Sequence, residues 1–156
     1  MIENFTDLNT NDRYAILGIG NKFRGDDAIG VRVIEEIRKR IDSPRILLIN
    51  AKTVPEKFTS KVKDFEPDHT LLIDSIDMGE DPGTVSIVDP EEITNQKISS
   101  HRLPLSMLMQ YLEDETEAES TLIGIQAGRT EMGNEISEDV RETINYLVKV
   151  LEDNLI

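Results

Sequence analysis

LGIGNKFRGDDAIGVRV, residues 17–33, joins a short apolar run to a segment of helical periodicity through a glycine-rich turn. The apolar run begins at Tyr14, and two neighbouring carboxylates, Asp26 and Asp27, lie inside the turn. In doubly wound α/β sheets, ligands bind at such strand-to-helix turns, outside the carboxyl ends of the strands. The stretch therefore predicts an α/β fold and a candidate site at the carboxyl edge of its sheet.

The remaining chain alternates between apolar runs and amphipathic segments. Strands are predicted at 14–20, 45–50, 69–75, 84–89 and 121–127, and helices at 28–41, 56–65, 104–113 and 137–153. This order implies right-handed crossovers and a mostly parallel sheet. Only a short turn connects the third and fourth strands, too few residues for a helical crossover, so the fourth strand is expected to be antiparallel at an edge. The predicted fold class is α/β, a three-layer α-β-α sandwich with a twisted five-stranded sheet, one antiparallel strand and helices on both faces.

Length and composition predict one domain over residues 1–156. Met1–Arg13 is expected to be a polar N-terminal arm that is open to disorder, and EDETEAES (113–120) a solvated acidic linker. Cysteine is absent, and no apolar stretch approaches the length of a membrane span. We therefore expect a cytoplasmic protein without disulfides.

The charge is strongly acidic, with 31 Asp and Glu against 17 Lys and Arg and a net charge of −14. Such a chain repels nucleic acid and anionic membranes, which are bound through basic patches. The charge favours solubility, and it would also suit a cation or a basic protein partner. We expect no nucleic-acid or membrane partner, and a monomer.

The glycine-rich turn does not match a nucleotide-binding motif. A dinucleotide fingerprint needs a third glycine where this chain has Phe23, and an acidic residue ending the second strand, where it has Asn50. The phosphate-binding sequence Gly-Lys-Ser/Thr is absent as well. A nucleotide-binding α/β enzyme is therefore the least favoured alternative.

Three side chains that could bind a metal lie where the predicted topology would bring them together. Asp27 follows the first strand, Asp74 comes at the exit of the third, and His101 lies in the loop after the antiparallel strand. Two carboxylates and an imidazole would form a divalent-metal site with open coordination positions. Each residue also has a structural interpretation: helix cap for Asp27, turn cap for Asp74 and surface loop residue for His101.

Four segments, in this order, resemble those of the hydrogenase maturation endopeptidases, which process the large subunit of [NiFe] hydrogenases. The segments are GIGNKFRGDDAIGVRV (18–33), LLIDSIDMGEDPGTVSIVDPEEI (71–93), SSHRLPLSML (99–108) and LIGIQ (122–126). The D-x-x-D-M-G-x-x-P-G turn, the serine-serine-histidine segment and the GIQ strand are most similar to the branch that serves membrane-bound, energy-converting or formate-linked hydrogenases.

The resemblance implies a twisted, mostly parallel sheet between helices, in agreement with the pattern of the chain. It also implies that Asp27, Asp74 and His101 bind nickel, which arrives already seated in the precursor of the large subunit. Other divalent metals would then be expected to occupy the site in vitro. The implied activity is an endopeptidase that removes a short C-terminal extension from this precursor.

The resemblance also implies an aspartic-type peptidase, but two carboxyls that share a proton must face each other. Asp26 and Asp27 are adjacent, so we expect their side chains to point apart. In the preferred hypothesis, Asp27 with Asp74 binds nickel and orients a water molecule. Asp26 supports them by capping the helix and orienting the loop, so Asp26→Asn should do less harm than Asp27→Asn. The alternative is a non-catalytic nickel-dependent chaperone that holds the immature subunit.

Overall fold

A five-stranded sheet lies between two layers of helices in the computed structural model, which describes residues 11–88 and 104–155. The strands are β1 (Tyr14–Ile19), β2 (Ile46–Lys52), β3 (His69–Ile76), β4 (Val85–Val88) and β5 (Glu119–Gln126). The helices are α1 (Ile29–Arg38), α2 (Thr59–Phe65), α3 (Leu105–Thr116) and α4 (Glu138–Leu155), and short 3-10 helices at Gly25–Ala28 and Pro55–Phe58 precede α1 and α2.

The strand order is β2-β1-β3-β5-β4, and the predicted fold class is confirmed. All pairs are parallel except β4 with β5, so β4 is the antiparallel edge strand that the sequence predicted. The central strands are buried on both faces, as parallel strands covered by helices must be. Within the described ranges, no helix is long and apolar enough to cross a membrane.

Two apolar cores hold the three layers together. On one face, α1 and α4 pack on the sheet through their apolar stripes, with Ile34 and Leu147 among the fully buried side chains. On the other face, α2 and α3 pack on Leu72 and Ile76 of β3. Successive strand residues point to opposite faces, so the single run of β3 contributes to both cores.

The prediction of an acidic linker at 113–120 is wrong for most of these residues. Helix α3 continues through Thr116, and β5 already begins at Glu119. Glu117, with a φ of 62°, ends the helix in the left-handed conformation. The backbone N–H of Ser120 donates to the carboxylate of Glu113 at 2.9 Å, so an acidic side chain of this segment joins the helix to the strand.

The first turn of α1 lies directly against the sheet because Gly30 has no side chain. A Cβ at Gly30 would overlap the carbonyl oxygen of Ile73 in β3 and backbone atoms of Ile19 in β1. A Cβ at Gly18 would in turn overlap the carbonyl oxygen of Gly30. This close approach holds the carboxylate-bearing turn at the carboxyl ends of β1 and β3.

The last residues of the predicted N-terminal arm are anchored at the opposite edge of the sheet. The Nε2 atom of His69 lies 2.8 Å from a carboxylate oxygen of Asp12. The imidazole ring of His69 stacks on the ring of Tyr14, with 4.7 Å between the ring centroids. The Arg13 guanidinium donates to the carbonyl oxygen of Phe65 and lies over its ring. His69, at the amino end of β3, therefore has structural contacts far along the strand from the carboxyl edge.

Candidate functional site

A cavity of about 420 Å³ opens at the carboxyl edge of the sheet, where the sequence predicted a site. It is bounded by the turn after β1, the end of β3 and the loop that follows β5. The polar side chains that line it include Arg24, Asp27, Ser75, Asp77, Gln126 and Glu131. The cavity is therefore mostly polar and acidic.

Asp27 is half-buried in the wall of this cavity. Its Oδ1 atom accepts a hydrogen bond from the Ser75 hydroxyl at 2.9 Å, and its Oδ2 atom accepts one from the Asn21 backbone N–H at 3.2 Å. One donor belongs to β3 and the other to the turn itself. The carboxylate is thus oriented from two sides, as a metal-binding or water-orienting group needs to be.

Asp74 lies in β3 beside the same serine and is only 3% exposed. Its Oδ1 atom accepts a hydrogen bond from the Ser75 backbone N–H at 2.8 Å. Ser75 therefore contacts Asp74 through its backbone and Asp27 through its side chain. The structure thus connects these two predicted residues through Ser75.

The described donors fit part of a divalent-metal site. Carboxylate oxygens are suitable ligands for a hard or borderline cation, and Asp27 and Asp74 supply them. The third predicted ligand, His101, lies outside the described residues. In residues 11–88 and 104–155, no group of three or more histidine or acidic side chains could hold a metal ion.

Asp26 does not cap a helix, so this part of the sequence-based interpretation is wrong. Its fully buried carboxylate accepts hydrogen bonds from the backbone N–H groups of Gly128 (2.7 Å), Arg129 (3.0 Å) and Ser137 (2.7 Å). The Ser137 hydroxyl donates a fourth bond at 2.8 Å. All four donors lie in the loop between β5 and α4, more than 100 residues along the chain.

The contacts of Asp26 fix one wall of the cavity. The backbone N–H of Asp26 also donates to the carbonyl oxygen of Arg129 at 2.6 Å, so the turn and the loop are joined in both directions. Gly25, at a φ of 54°, lies so close to the same carbonyl oxygen that a Cβ would overlap it. Asp26 and Asp27 therefore have separate partners and separate tasks, as their adjacency in sequence suggested.

Gln126 is a site residue for which sequence reasoning named a motif but no task. Its Oε1 atom accepts hydrogen bonds from the backbone N–H groups of Met78 (2.6 Å) and Glu80 (3.4 Å). Its Nε2 atom donates to the carbonyl oxygen of Ala127 (3.0 Å) and to the Asp77 carboxylate (3.4 Å). The glutamine that ends β5 thus holds the D-M-G turn at the cavity.

Gln126→Glu is expected to lower the free energy of unfolding by about 1–2 kcal/mol, because a carboxylate oxygen would face two acceptors in place of the amide NH₂ group. Gln110→Glu makes the same chemical change on the exposed face of α3 and should shift stability by less than about 0.5 kcal/mol. Urea denaturation of the two variants measures this difference. Equal stabilities would show that Gln126 does not hold the turn.

Ser75 and Gln126 were missed as site residues, although both leave a signal in the sequence. Each is a buried polar residue that follows the apolar middle of its strand. Buried polar groups are almost always hydrogen-bonded. Their position therefore indicated a polar partner at this edge, but not which one.

Two large apolar side chains are exposed on the loops beside the cavity. Phe23 is 63% exposed on the turn after β1, and Met132 is 65% exposed on the loop after β5. The Gly133 backbone N–H donates to the Phe23 carbonyl oxygen at 2.9 Å, so the two loops meet here. Exposed apolar surface beside a cavity is typical of a face that binds another protein.

Comparison with known proteins gives consistent matches over nearly the whole chain. The family model described as HycI, hydrogenase maturation protease, matches residues 31–154. A putative hydrogenase maturation protease of Methanocaldococcus jannaschii is 36% identical over 152 residues, which cover 90% of this chain and 89% of the relative. The hydrogenase 3 maturation protease of Escherichia coli K12 is 26% identical over 140 residues, covering 88% and 87%.

Solved structures agree with these matches. The crystal structure of the [NiFe] hydrogenase maturation protease HycI from Thermococcus kodakarensis is similar with a TM-score of 0.87 and 35% identity, over 92% of both chains. The crystal structure of a hydrogenase 3 maturation protease has a TM-score of 0.79 over 90% of both chains. At 22% identity, the latter is similar in fold.

Proposed function

Because the chain belongs to the hydrogenase maturation protease family, we propose that it is an endopeptidase that removes a short C-terminal extension from the nickel-loaded precursor of a [NiFe]-hydrogenase large subunit. The single observation that carries this proposal is the position of Asp27. Its oriented carboxylate lies in a polar cavity at the carboxyl edge of the sheet, and Ser75, whose hydroxyl donates to it, also contacts the buried Asp74 through its backbone N–H.

Amide hydrolysis needs an activated water, a group that polarises the carbonyl and a proton for the leaving amine. The chain has no cysteine, so in this proposal the activating groups are carboxylates. Asp27 and Asp74 bind the nickel of the bound precursor through their oxygens and orient the attacking water. Nickel belongs to the substrate, and in this proposal it would supply the recognition signal.

His101 is proposed as the third nickel ligand. Its support is the sequence of the chain: it comes four residues before Leu105, the first residue of α3. Helix α3 packs on the face of the sheet that carries Leu72 and Ile76. Asp74 lies between these residues in β3 and shares their face because side chains alternate along a strand.

The proposed chemistry depends on carboxylates, but not on a pair of aspartates that share a proton. Such a pair needs two carboxyls in direct contact. All four bonds that Asp26 accepts from described residues come from the loop after β5, so its carboxylate serves to hold that loop. Asp26 is therefore proposed as a positioning residue, outside the catalytic pair.

The exposed pair Phe23 and Met132 supports a protein substrate. A small-molecule enzyme encloses its ligand, whereas this cavity is flanked by apolar side chains that are free to bury surface on a partner. We propose that both contact the precursor around the segment to be cleaved.

Mass spectrometry of the precursor tests this function. Incubation of the nickel-loaded precursor with the protein is expected to yield a large subunit shortened at its C terminus and a released peptide. A stable complex in which the large subunit keeps its full mass would overturn the protease and support the chaperone alternative. Absence of both cleavage and complex formation would overturn the precursor as partner.

A further inference from the structure

Arg24 has no task in the function proposed so far, yet its side chain lines the same cavity as Asp27. It is the only cationic side chain among the described residues that line this cavity. The acidic groups around it are Asp27, Asp77 and Glu131. A guanidinium carries five N–H donors, keeps its charge at any physiological pH and has no acceptor.

One of these donors is unsatisfied. The Nε atom of Arg24 is buried and has no hydrogen-bond partner among the residues that the structure describes. Buried donors without a partner are rare in native proteins, because the lost hydration is not replaced. No hydrogen bond at Nε therefore opposes a rotation of this side chain that would bring the Nε–H and the neighbouring Nη–H to a ligand in the cavity.

We propose that Arg24 is a substrate-binding residue, which donates its Nε–H and Nη–H to a backbone carbonyl oxygen of the precursor segment held in the cavity. This inference rests on the proposed function. It adds a residue that recognises the peptide itself, separate from the carboxylates that recognise the metal. Phe23, the preceding residue, is exposed at the cavity and places the same turn against the partner.

The acidic surroundings decide between the two kinds of oxygen that a guanidinium binds. A substrate carboxylate would enter next to three carboxylates of the cavity and would be repelled by them. A peptide carbonyl carries no net charge and accepts the same hydrogen bonds without this cost. The geometry therefore favours the peptide backbone over an acidic side chain of the substrate.

Arg24→Gln, which removes the charge and the guanidinium fork, is expected to lower kcat/KM for precursor processing about 10- to 100-fold, the range for a lost hydrogen bond to a charged group. Most of the loss should appear as a higher KM and as weaker binding of the precursor in calorimetry. Arg24→Lys keeps the charge but not the fork, and should recover only part of the loss.

Arg32→Gln is the matched control, since it makes the same change at an exposed arginine of α1 that does not line the cavity. It should process the precursor at the wild-type rate, and the thermal unfolding of all variants should match that of the wild type. Arg24→Gln with KM and affinity within about twofold of the wild type would overturn the proposal. So would a loss confined to kcat at unchanged affinity.

The two proposals fail in different ways. Wild-type protein that binds the precursor without cutting it, combined with weakened binding by Arg24→Gln, would overturn the protease and keep the role of Arg24. Wild-type cleavage that Arg24→Gln leaves unchanged would overturn the role of Arg24 alone. Wild-type protein that neither binds nor cuts the precursor would overturn both.

Discussion

Asp27→Asn is expected to lower the rate of precursor processing about 10²- to 10⁴-fold, the usual cost of removing a group that takes part in proton transfer or orients the reacting water. Asn has nearly the same shape but lacks the negative charge and one acceptor oxygen. Only one side-chain oxygen is then left to accept from the Ser75 hydroxyl, whereas the Asn21 N–H keeps the Asp27 backbone carbonyl oxygen at 3.1 Å as an acceptor. The measurement is a time course of large-subunit mass with wild-type and variant protein.

The fold should survive this substitution, because Asp27 is only half-buried. We expect the unfolding free energy to stay within about 1 kcal/mol of the wild type. Asp114→Asn makes the same change on the exposed end of α3 and should leave processing unaffected. Processing by Asp27→Asn at more than about a tenth of the wild-type rate would remove Asp27 from the catalytic site.

Asp26→Asn is expected to destabilise the protein by about 2–4 kcal/mol. Whichever way the new amide is turned, its NH₂ group faces at least one backbone N–H that now donates a hydrogen bond to the carboxylate. The remaining hydrogen bonds also lose the strength that the charge gave them. The loop after β5 forms one wall of the cavity, so processing should fall together with stability. Chemical denaturation and the processing assay measure the two effects.

Ser137→Ala provides a graded comparison for Asp26. It removes only the hydroxyl donor and should cost about 1 kcal/mol, since the backbone N–H of residue 137 still donates to Asp26. The sequence alone predicted less harm from Asp26→Asn than from Asp27→Asn, because Asp26 was expected to cap the helix. If Asp26→Asn changed the free energy of unfolding by less than about 0.5 kcal/mol, the helix-cap interpretation would be restored and the buried network contradicted.

The strand-to-helix pattern predicted the fold and the position of the site because both depend on local order along the chain. An apolar run followed by glycines and an amphipathic helix is typical of a parallel α/β unit. Since parallel strands end at the same edge, Asp27 and Asp74 were predicted to meet there. In the structure, Ser75 contacts Asp74 through its backbone N–H and Asp27 through its hydroxyl.

The hydrogen-bond partners of Asp26 and Gln126 could not be predicted, because they are remote in sequence. The donors to Asp26 lie 102 to 111 residues away, and those to Gln126 lie 46 to 48 residues away. Local patterns favour a helix cap for an aspartate in such a turn, and the buried loop contacts replace that cap. The family resemblance rests on the segments that contain Asp26 and Gln126, but it does not indicate which hydrogen bonds these side chains make.

These two networks have the same physical purpose. Asp26 joins the turn after β1 to the loop after β5, and Gln126 joins β5 to the turn after β3. The three segments that surround the cavity are thus tied to each other by buried side chains, which leaves Asp27 and Arg24 to face its interior. A site that must receive a folded precursor benefits from walls that are already formed, because ordering them on binding would weaken affinity.

The central claim is that the site cuts the precursor in response to nickel, and a paired processing assay tests it most directly. The protein is incubated with nickel-loaded precursor, with nickel-free precursor, and with nickel-free precursor to which nickel has been restored, and the mass of each large subunit is measured. We expect C-terminal shortening in the loaded and restored samples and none in the nickel-free sample. Shortening of the nickel-free precursor at the same rate would contradict the account.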